Sequence, residues 1–478
     1  MFETASRAVE AAVAAGARYA DARVKHQRYE SMSAQNGALE DLTQREAIGV
    51  GVRALVGSSW GFFAVGDLDD AAARRAGEQA TAIARASAVV PGPDLDLLEI
   101  PVRQDSWASP CAEDPLSVSL ADKGDLVVGV TDTMHRAGVP LASALYQVWD
   151  TRTWFVSSEG HRIDQHIREC GAGMHCLAIG EGSTQRRSYP AFRGDYGTAG
   201  WEQVRATDLP AHAERIAAEA QALLTAPQCP AGTTDVILGG EQMSLQIHES
   251  VGHAVELDRI LGWEAGYAGT SWLDLAQLGR LRYGSELMNV TADPTLPGAL
   301  GSFGYDDEGT PAAPNDIVRD GMWVGVLAGR DSAARAGLDY AGAVRSDGYA
   351  RLPMVRMTNV GLLAGPDSLE SMIAATDDGI FMEHNRSWSI DDKRRNFQFG
   401  CEIGWEIKNG ERGRMLRNPT YTGIGPQFWA SMDMLAGESE RRFWGTPNCG
   451  KGQPGQVGHT GHPAMPARFR NVRVGVTG

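Results

Sequence analysis

At Tyr19 the chain changes period. Residues 3–17 repeat their apolar positions at helical spacing, whereas Tyr19 to Val65 alternates apolar and polar residues around Asn36-Gly37. Alternation of that length with an Asn-Gly pair inside it demands two long antiparallel strands joined by a tight turn. The layout then recurs. The sequence predicts a helix over about 68–88, a Pro-rich connection to about 115, and a helix over about 115–137. A second alternating run starts at Leu141, in which Ser158-Glu159-Gly160 takes the place of Gln35-Asn36-Gly37. Helix plus antiparallel meander, used twice, reads as a weak internal duplication. A long helix near 200–224 closes this half.

Ala226-Pro227-Gln228-Cys229-Pro230-Ala231-Gly232 reads as a hinge. The expected organisation is an N-terminal α/β domain at 1–226, built of antiparallel meanders and helices, and a second domain at 232–478. In the latter, a strand at Thr234–Leu238 and Gly239-Gly240 lead into a helix from about Glu241 to Leu261. Short strands with Gly, Pro and Asn turns follow. This domain is expected to be mainly antiparallel β and to carry that one important helix, which makes the fold class α+β. A length of 478 residues accommodates two or three domains.

Charge and cysteine usage narrow the partners. A formal net charge of -16 repels phosphate backbones, so no nucleic-acid partner is expected. The six cysteines (Cys111, Cys170, Cys176, Cys229, Cys401 and Cys449) have no disulfide-scaffold spacing, which suits a reducing compartment. The N-terminus has no basic region followed by an apolar core, and no apolar run approaches the roughly 20 residues of a membrane span. A cytoplasmic protein with no membrane partner is expected. No P-loop, dinucleotide fingerprint or Gly-x-Ser-x-Gly elbow is present.

The chemistry concentrates on GGEQMSLQIHESVGHAVELDRILG, where His248 and Glu249 are adjacent and His253 follows five residues after His248. Two imidazoles and a carboxylate that can take a proton from an attacking water are the parts of a metallopeptidase. Histidines four apart share a helix face, but five apart stand about 140° apart at 3.6 residues per turn. Both can face one metal only where the helix is widened or broken. A π-bulge does this, and Gly252 tolerates the distortion. A third ligand must come from elsewhere. The run NCGKGQPGQVGHTGHP offers Cys449, His459 and His462, and Glu256 and Glu264 are nearer in sequence.

HESVGHAVELDRI resembles the signature segment of the TldD/PmbA family of modulators and metallopeptidases. So do GSFGYDDEGTP (301–311), RLPMVRMTN (351–359), the stretch around Phe399-Gly400-Cys401, and CGKGQP (449–454), in the family's order. The ligand motif matches the TldD branch, since the PmbA (TldE) branch lacks it. The resemblance implies zinc held by His248, His253 and Cys449 with Glu249 as base. It also implies an α/β domain before a β-rich one, and substrates that are unfolded or short peptides. Chains of the family form dimers, so a homodimer or a heterodimer with a PmbA/TldE-type chain is implied. The family's ending usually carries glutamine where His462 stands, and His459 is also unusual. Either histidine competes with Cys449 or lines the substrate channel.

Asp306, Asp307 and Glu308 are candidates to orient a ligand histidine, bind a peptide amino group or cap a turn. Arg351 and Arg356 are candidates to hold a peptide carboxylate or to form structural ion pairs. Cys401 is expected in the core, His384 and Asn385 in a loop, and His161, His166 and His175 at the surface. The rival to a peptidase is a non-catalytic peptide-binding or maturation partner with structural zinc. A structural zinc takes four protein ligands and needs no neighbouring base, so the intact Glu249 argues against it.

Overall fold

The computed structural model describes every residue except 91, 93, 181, 268, 453 and 476–478, so Gln453 of the CGKGQP block and the end of the expected second domain lie outside the described residues. In the first half, α1 (Phe2–Ala14), β1 (Tyr19–Gln35), β2 (Ala38–Val56), β3 (Ser59–Val65) and α2 (Asp70–Ser87) come first. After β4 (Gln104–Ala108), α3 (Leu120–Arg136), β5 (Leu141–Ser157), β6 (Arg162–Gly180), β7 (Ser183–Tyr189), β8 (Asp195–Thr198), α4 (Glu202–Thr207) and α5 (Leu209–Thr225) repeat the plan. Asn36 and Gly37 both adopt positive φ between β1 and β2, as the tight turn requires. The helix expected over 200–224 is split at Asp208, whose φ is +44°, with Pro210 opening the second piece.

One large sheet runs β3-β2-β1-β5-β6-β8, with the short strand Gly298–Ala299 beyond β8 and with β4 and β7 against β6. Period-two geometry sorts its residues. Ala20, Ala22, Val24, Met32 and Ala34 of β1 share one face, and all pack in cores with α1, α2, α3 and α5. The alternate residues Asp21, Arg23 and Lys25 face the other way and are buried as well. The C-terminal half covers them. Lys25 bonds Asp307 at 2.8 Å, and Arg53 bridges Asp21 (2.6 Å) and Glu308 (3.0 Å).

The C-terminal half contains a seven-stranded sheet. Five of its strands, Asp378–Ile390, β9 (Gly232–Leu238), Ala467–Val474, Thr420–Ile424 and Asn396–Lys408, pair in that order, and the last pairs back with the first. This ring leaves none of the five with two free edges. Only Asp378–Ile390 against β9 is parallel. Cys401 is fully buried in this half's core. His384 and Asn385 lie within a strand rather than a loop, with His384 at φ +59° and the register shifting between Asn385 and Ser387. His161 is buried rather than exposed, because the turn at Gly309 folds over it. No helix among the described residues is long and apolar enough to cross a membrane.

Since Glu308 is buried and joined to Arg53 and to the Arg330 N–H (2.7 Å), Glu308→Ala should destabilise the fold by about 3 kcal/mol or more while leaving metal content unchanged. Urea unfolding and metal analysis of the folded fraction check this. Normal stability with metal lost would reassign Glu308 to the site.

Candidate metal centre

β9 feeds through Gly239 into α6 (Gly240–Ile247), and regular α-helix ends there. From His248 to Gly252 the backbone forms a π turn, and the His253 N–H donates to the His248 carbonyl at 3.1 Å. Bonding of i to i+5 places residues five apart about one turn apart, so the two histidines share a face. Gly252 permits it by close packing, since a Cβ there would lie 2.0 Å from Met357 Sδ. The imidazole centroids are 4.8 Å apart and nearly perpendicular.

Cys449 comes from the hairpin Arg442–Lys451/Gln456–Ala464, where the register slips between Thr446 and Cys449. Its Sγ is 3.5 Å from His253 Nε2. Ligand atoms of His248, His253 and Cys449 all lie within 4.8 Å of one another, and all three residues are buried. Tetrahedral zinc with one sulfur and two nitrogen ligands sets S···N separations of about 3.5 Å, so this donor set fits a metal of that kind.

The protonation states suit ligation. Burial lowers the pKa of both His248 and His253 and favours neutral rings. Burial pushes the Cys449 thiol up, but His253 and Arg356 outweigh it and hold the thiol below its ordinary value. Metal ligands are neutral imidazole and thiolate.

Two buried partners fix the tautomers. The Val360 carbonyl lies 2.9 Å from His462 Nδ1 and can only accept, so His462 Nδ1 carries the proton and Nε2 accepts. His248 Nδ1 donates to that Nε2 at 2.8 Å, which leaves His248 Nε2 its lone pair. His253 Nδ1 donates to Glu256 Oε2 at 2.9 Å, which leaves Nε2 free on the Cys449 side. Glu256 in turn meets Arg259 (2.7 Å) and Lys451 (3.3 Å), while Lys451 bonds Asp258 at 2.8 Å and the Val355 carbonyl at 2.7 Å. Burial opposes ionisation of Glu256, yet Lys451, His253 and Arg259 hold its carboxyl well below the usual range.

Glu249 Oε2 accepts from Arg394 Nη1 at 2.7 Å. Both residues line a cavity of about 300 Å3, with the His–Cys group on its wall and the segments 191–194 and 444–450 around it. No sequence signal singled out Arg394, because DDKRRN reads as a solvated turn.

The other expected site residues have different partners. Asp306 caps its own turn, accepting from the Glu308, Thr310 and Val344 N–H groups, and burial pushes its carboxyl up to about 7. Asp307 and Glu308 join the two halves, as above. Among the described residues the carboxylate on a site histidine is Glu256, a candidate ligand by sequence, which bonds the far nitrogen of His253. Arg351 is exposed, and Arg356 donates to the carbonyls of Cys449 and Gln456, so it braces the hairpin. His459 bonds Glu169 at 2.8 Å and meets Trp149 edge to face, ring centroids 4.6 Å apart. It faces a second cavity and lies outside the His–Cys group.

A family model described as the PmbA/TldA metallopeptidase C-terminal domain matches residues 231–475, and one for domain 1 matches residues 20–84. A metalloprotease of Methanocaldococcus jannaschii is 29% identical over 409 residues, 85% of this chain and 86% of that protein. A TldD homolog from Haemophilus influenzae, named a metalloprotease, is 26% identical over 91% of this chain and 88% of its own length. A zinc metalloprotease TldD homolog of Saccharolobus solfataricus is 26% identical over 40% of this chain and 41% of its own. Among solved structures, a Thermotoga maritima protein described as a candidate modulator of a DNA gyrase covers 99% of both chains with a TM-score of 0.77 at 16% identity. TldE from Thermococcus kodakarensis gives 0.71 at 15% identity over 98% of this chain and 99% of its own. With more than half of its length matched by the C-terminal model and the fold shared end to end, the chain belongs to the TldD/PmbA family of metallopeptidases.

Proposed function

We propose that the chain is a zinc-dependent peptidase acting on unfolded or short peptides. The observation that carries this reading is the meeting of His248, His253 and Cys449 at one buried point, with Glu249 beside it on the wall of a cavity. The relatives' names, one of which specifies zinc, support it. In this reading the three residues hold zinc, which supplies Lewis acidity to the scissile carbonyl and the attacking water. Glu249 takes the proton from that water and delivers it to the leaving amine. Arg394 orients Glu249 through Oε2. Glu256 and His462 keep the imidazoles turned toward the metal. His462 and His459 have other partners, so neither supplies the fourth protein ligand that a purely structural zinc would need.

The substrate lies extended in the cavity. Among the described residues the strand Arg442–Lys451 pairs only with Gln456–Ala464, and its segment 444–450 lines the cavity. A peptide added along the part of that edge not already engaged at Gly445 and Cys449 is recognised by its main chain, which suits unfolded substrates of varied sequence. The division into domains at 1–226 and 232–478, with segment 191–194 of the first closing the cavity of the second, belongs to the same reading. So does a cytoplasmic location, where a thiolate ligand stays reduced. The active unit is a homodimer or a heterodimer with a TldE-type chain. Trp263, Tyr267 and Val457, apolar yet exposed on the single chain, support pairing.

Glu249→Gln should keep the metal and lose peptide cleavage by about 10²–10⁴-fold, whereas Cys449→Ala should lose both. Metal analysis beside a peptidase assay separates them, and wild-type cleavage by Glu249→Gln would remove the assigned base. His462→Leu leaves His248 Nδ1 without its acceptor, so zinc affinity should fall about 10–100-fold in a chelator competition. An unchanged affinity would show that the His462 contact does not orient the ligand. Light scattering at micromolar concentration should give the mass of two chains, or of this chain plus its TldE-type partner. A fully active monomer would rule out the dimer.

A further inference from the structure

One wall of the cavity is a face of α6 continued by His248. Glu241, Ser244, Leu245 and His248 line it, at the i, i+3, i+4, i+7 spacing of a single helical stripe. The metal group and Glu249 lie at the C-terminal end of this stripe, and Glu241 lies at the other. Seven residues at 1.5 Å each put Glu241 about 10 Å along the axis from His248. An extended peptide advances about 3.3–3.6 Å per residue, so that interval is two or three residues of substrate.

Glu241 is an unusual group to find there. It is 8% exposed. Its oxygens accept from the N–H groups of Asn385 (2.8 Å) and Phe192 (3.4 Å), and among the described residues no cation lies within ion-pair distance. Burial pushes its carboxyl up to about 7, with the Glu402 charge adding to the rise. Asn385, 3% exposed and on the same cavity wall, has an Oδ1 with no hydrogen-bond partner. On this wall a carboxylate whose hydrogen bonds come from two backbone N–H groups and not from a cation adjoins an amide oxygen that lacks any donor. Unsatisfied buried acceptors cost stability unless a ligand completes them. The ligand that completes them carries several N–H donors and a positive charge.

We propose that Glu241, with Asn385, anchors a primary ammonium group of the peptide two or three residues from the scissile bond. The proposal rests on the peptidase reading above and gives it a direction, because one end of the cavity becomes selective for a cation. The ammonium is either a free amino terminus, in which case the enzyme trims short pieces from peptide ends, or a lysine side chain within the substrate.

The test uses the zinc-loaded full chain carrying Glu249→Gln, titrated calorimetrically with amidated alanine hexapeptides of three kinds. One kind has a free amino terminus, one is N-acetylated, and one is N-acetylated with a single lysine at each position in turn. An ammonium-bearing peptide should bind at least about tenfold tighter than the neutral acetylated one, the scale of one hydrogen-bonded charge. Preference for the free terminus or for lysine identifies the source. Adding Glu241→Gln should bring the ratio to near one. Equal binding of all peptides to the Glu249→Gln chain overturns the anchor without touching the peptidase reading. A preference that survives Glu241→Gln also overturns it. If no peptide binds and the wild type cleaves none of them, the anchor and the peptidase reading fall together.

Discussion

An i to i+5 hydrogen bond, from the His253 N–H to the His248 carbonyl, brings the two histidines to one face, where with Cys449 they could hold a metal. On a regular helix the two histidines would point about 140° apart. With the turn widened they converge, and the surrounding structure is built to hold the turn open. The Tyr283 hydroxyl donates to the Ser250 carbonyl at 2.5 Å, and Trp429 Nε1 donates to Ser250 Oγ at 2.9 Å. Ser250 Oγ in turn donates to the Gln246 carbonyl. The π geometry thus has polar groups satisfied by residues far along the chain, and Met357 packs against Gly252 where a Cβ would stand.

The charges around the centre follow from the same requirement. A buried imidazole must be told which nitrogen to protonate, and a buried carboxylate such as Glu256 does this only if it remains ionised. Ionisation is expensive away from water unless cations are present. Lys451, two residues beyond Cys449, is placed to supply one. The CGKG segment therefore brings a candidate ligand and the counter-charge for the other ligand's partner on the same strand.

The parts of this architecture that depend on neighbours in sequence were legible in it. Alternation located the paired strands, Asn36-Gly37 marked their turn, and the five-residue spacing with Gly252 foretold a widened helix, observed as the π turn at His248–Gly252. What depends on distant contacts was not legible. Arg394 looks like any charge in a turn until the strand Asp378–Ile390 and its neighbour bring it to Glu249, 145 residues away. The acidic trio at 306–308 is indistinguishable by letters from a substrate site, and its meaning appears only when Lys25 and Arg53 arrive from the first sheet. The helix break at Asp208 was carried by one positive φ that no periodicity reports.

The N-terminal half has no place in the donor set, yet the position of Cys449 depends on it. The hairpin bearing Cys449 rests on the large sheet at two points. Asp195 accepts from the Gly445 N–H at 2.9 Å, where a Cβ on residue 445 would stand 2.0 Å from the Tyr196 carbonyl oxygen. Glu169 and Trp149 hold His459 on the returning strand. Cys449 Sγ, 196 residues along the chain from His253, lies 3.5 Å from its Nε2, and both strands of its hairpin are held by these contacts. Arg356, donating to the carbonyls of Cys449 and Gln456, ties the hairpin to the C-terminal half between those points. The sheet face that is not covered by helices therefore has a function of its own. Glu169 and Trp149 on that face, with Asp195 at the start of β8, form the seat against which the third donor is brought to the histidines.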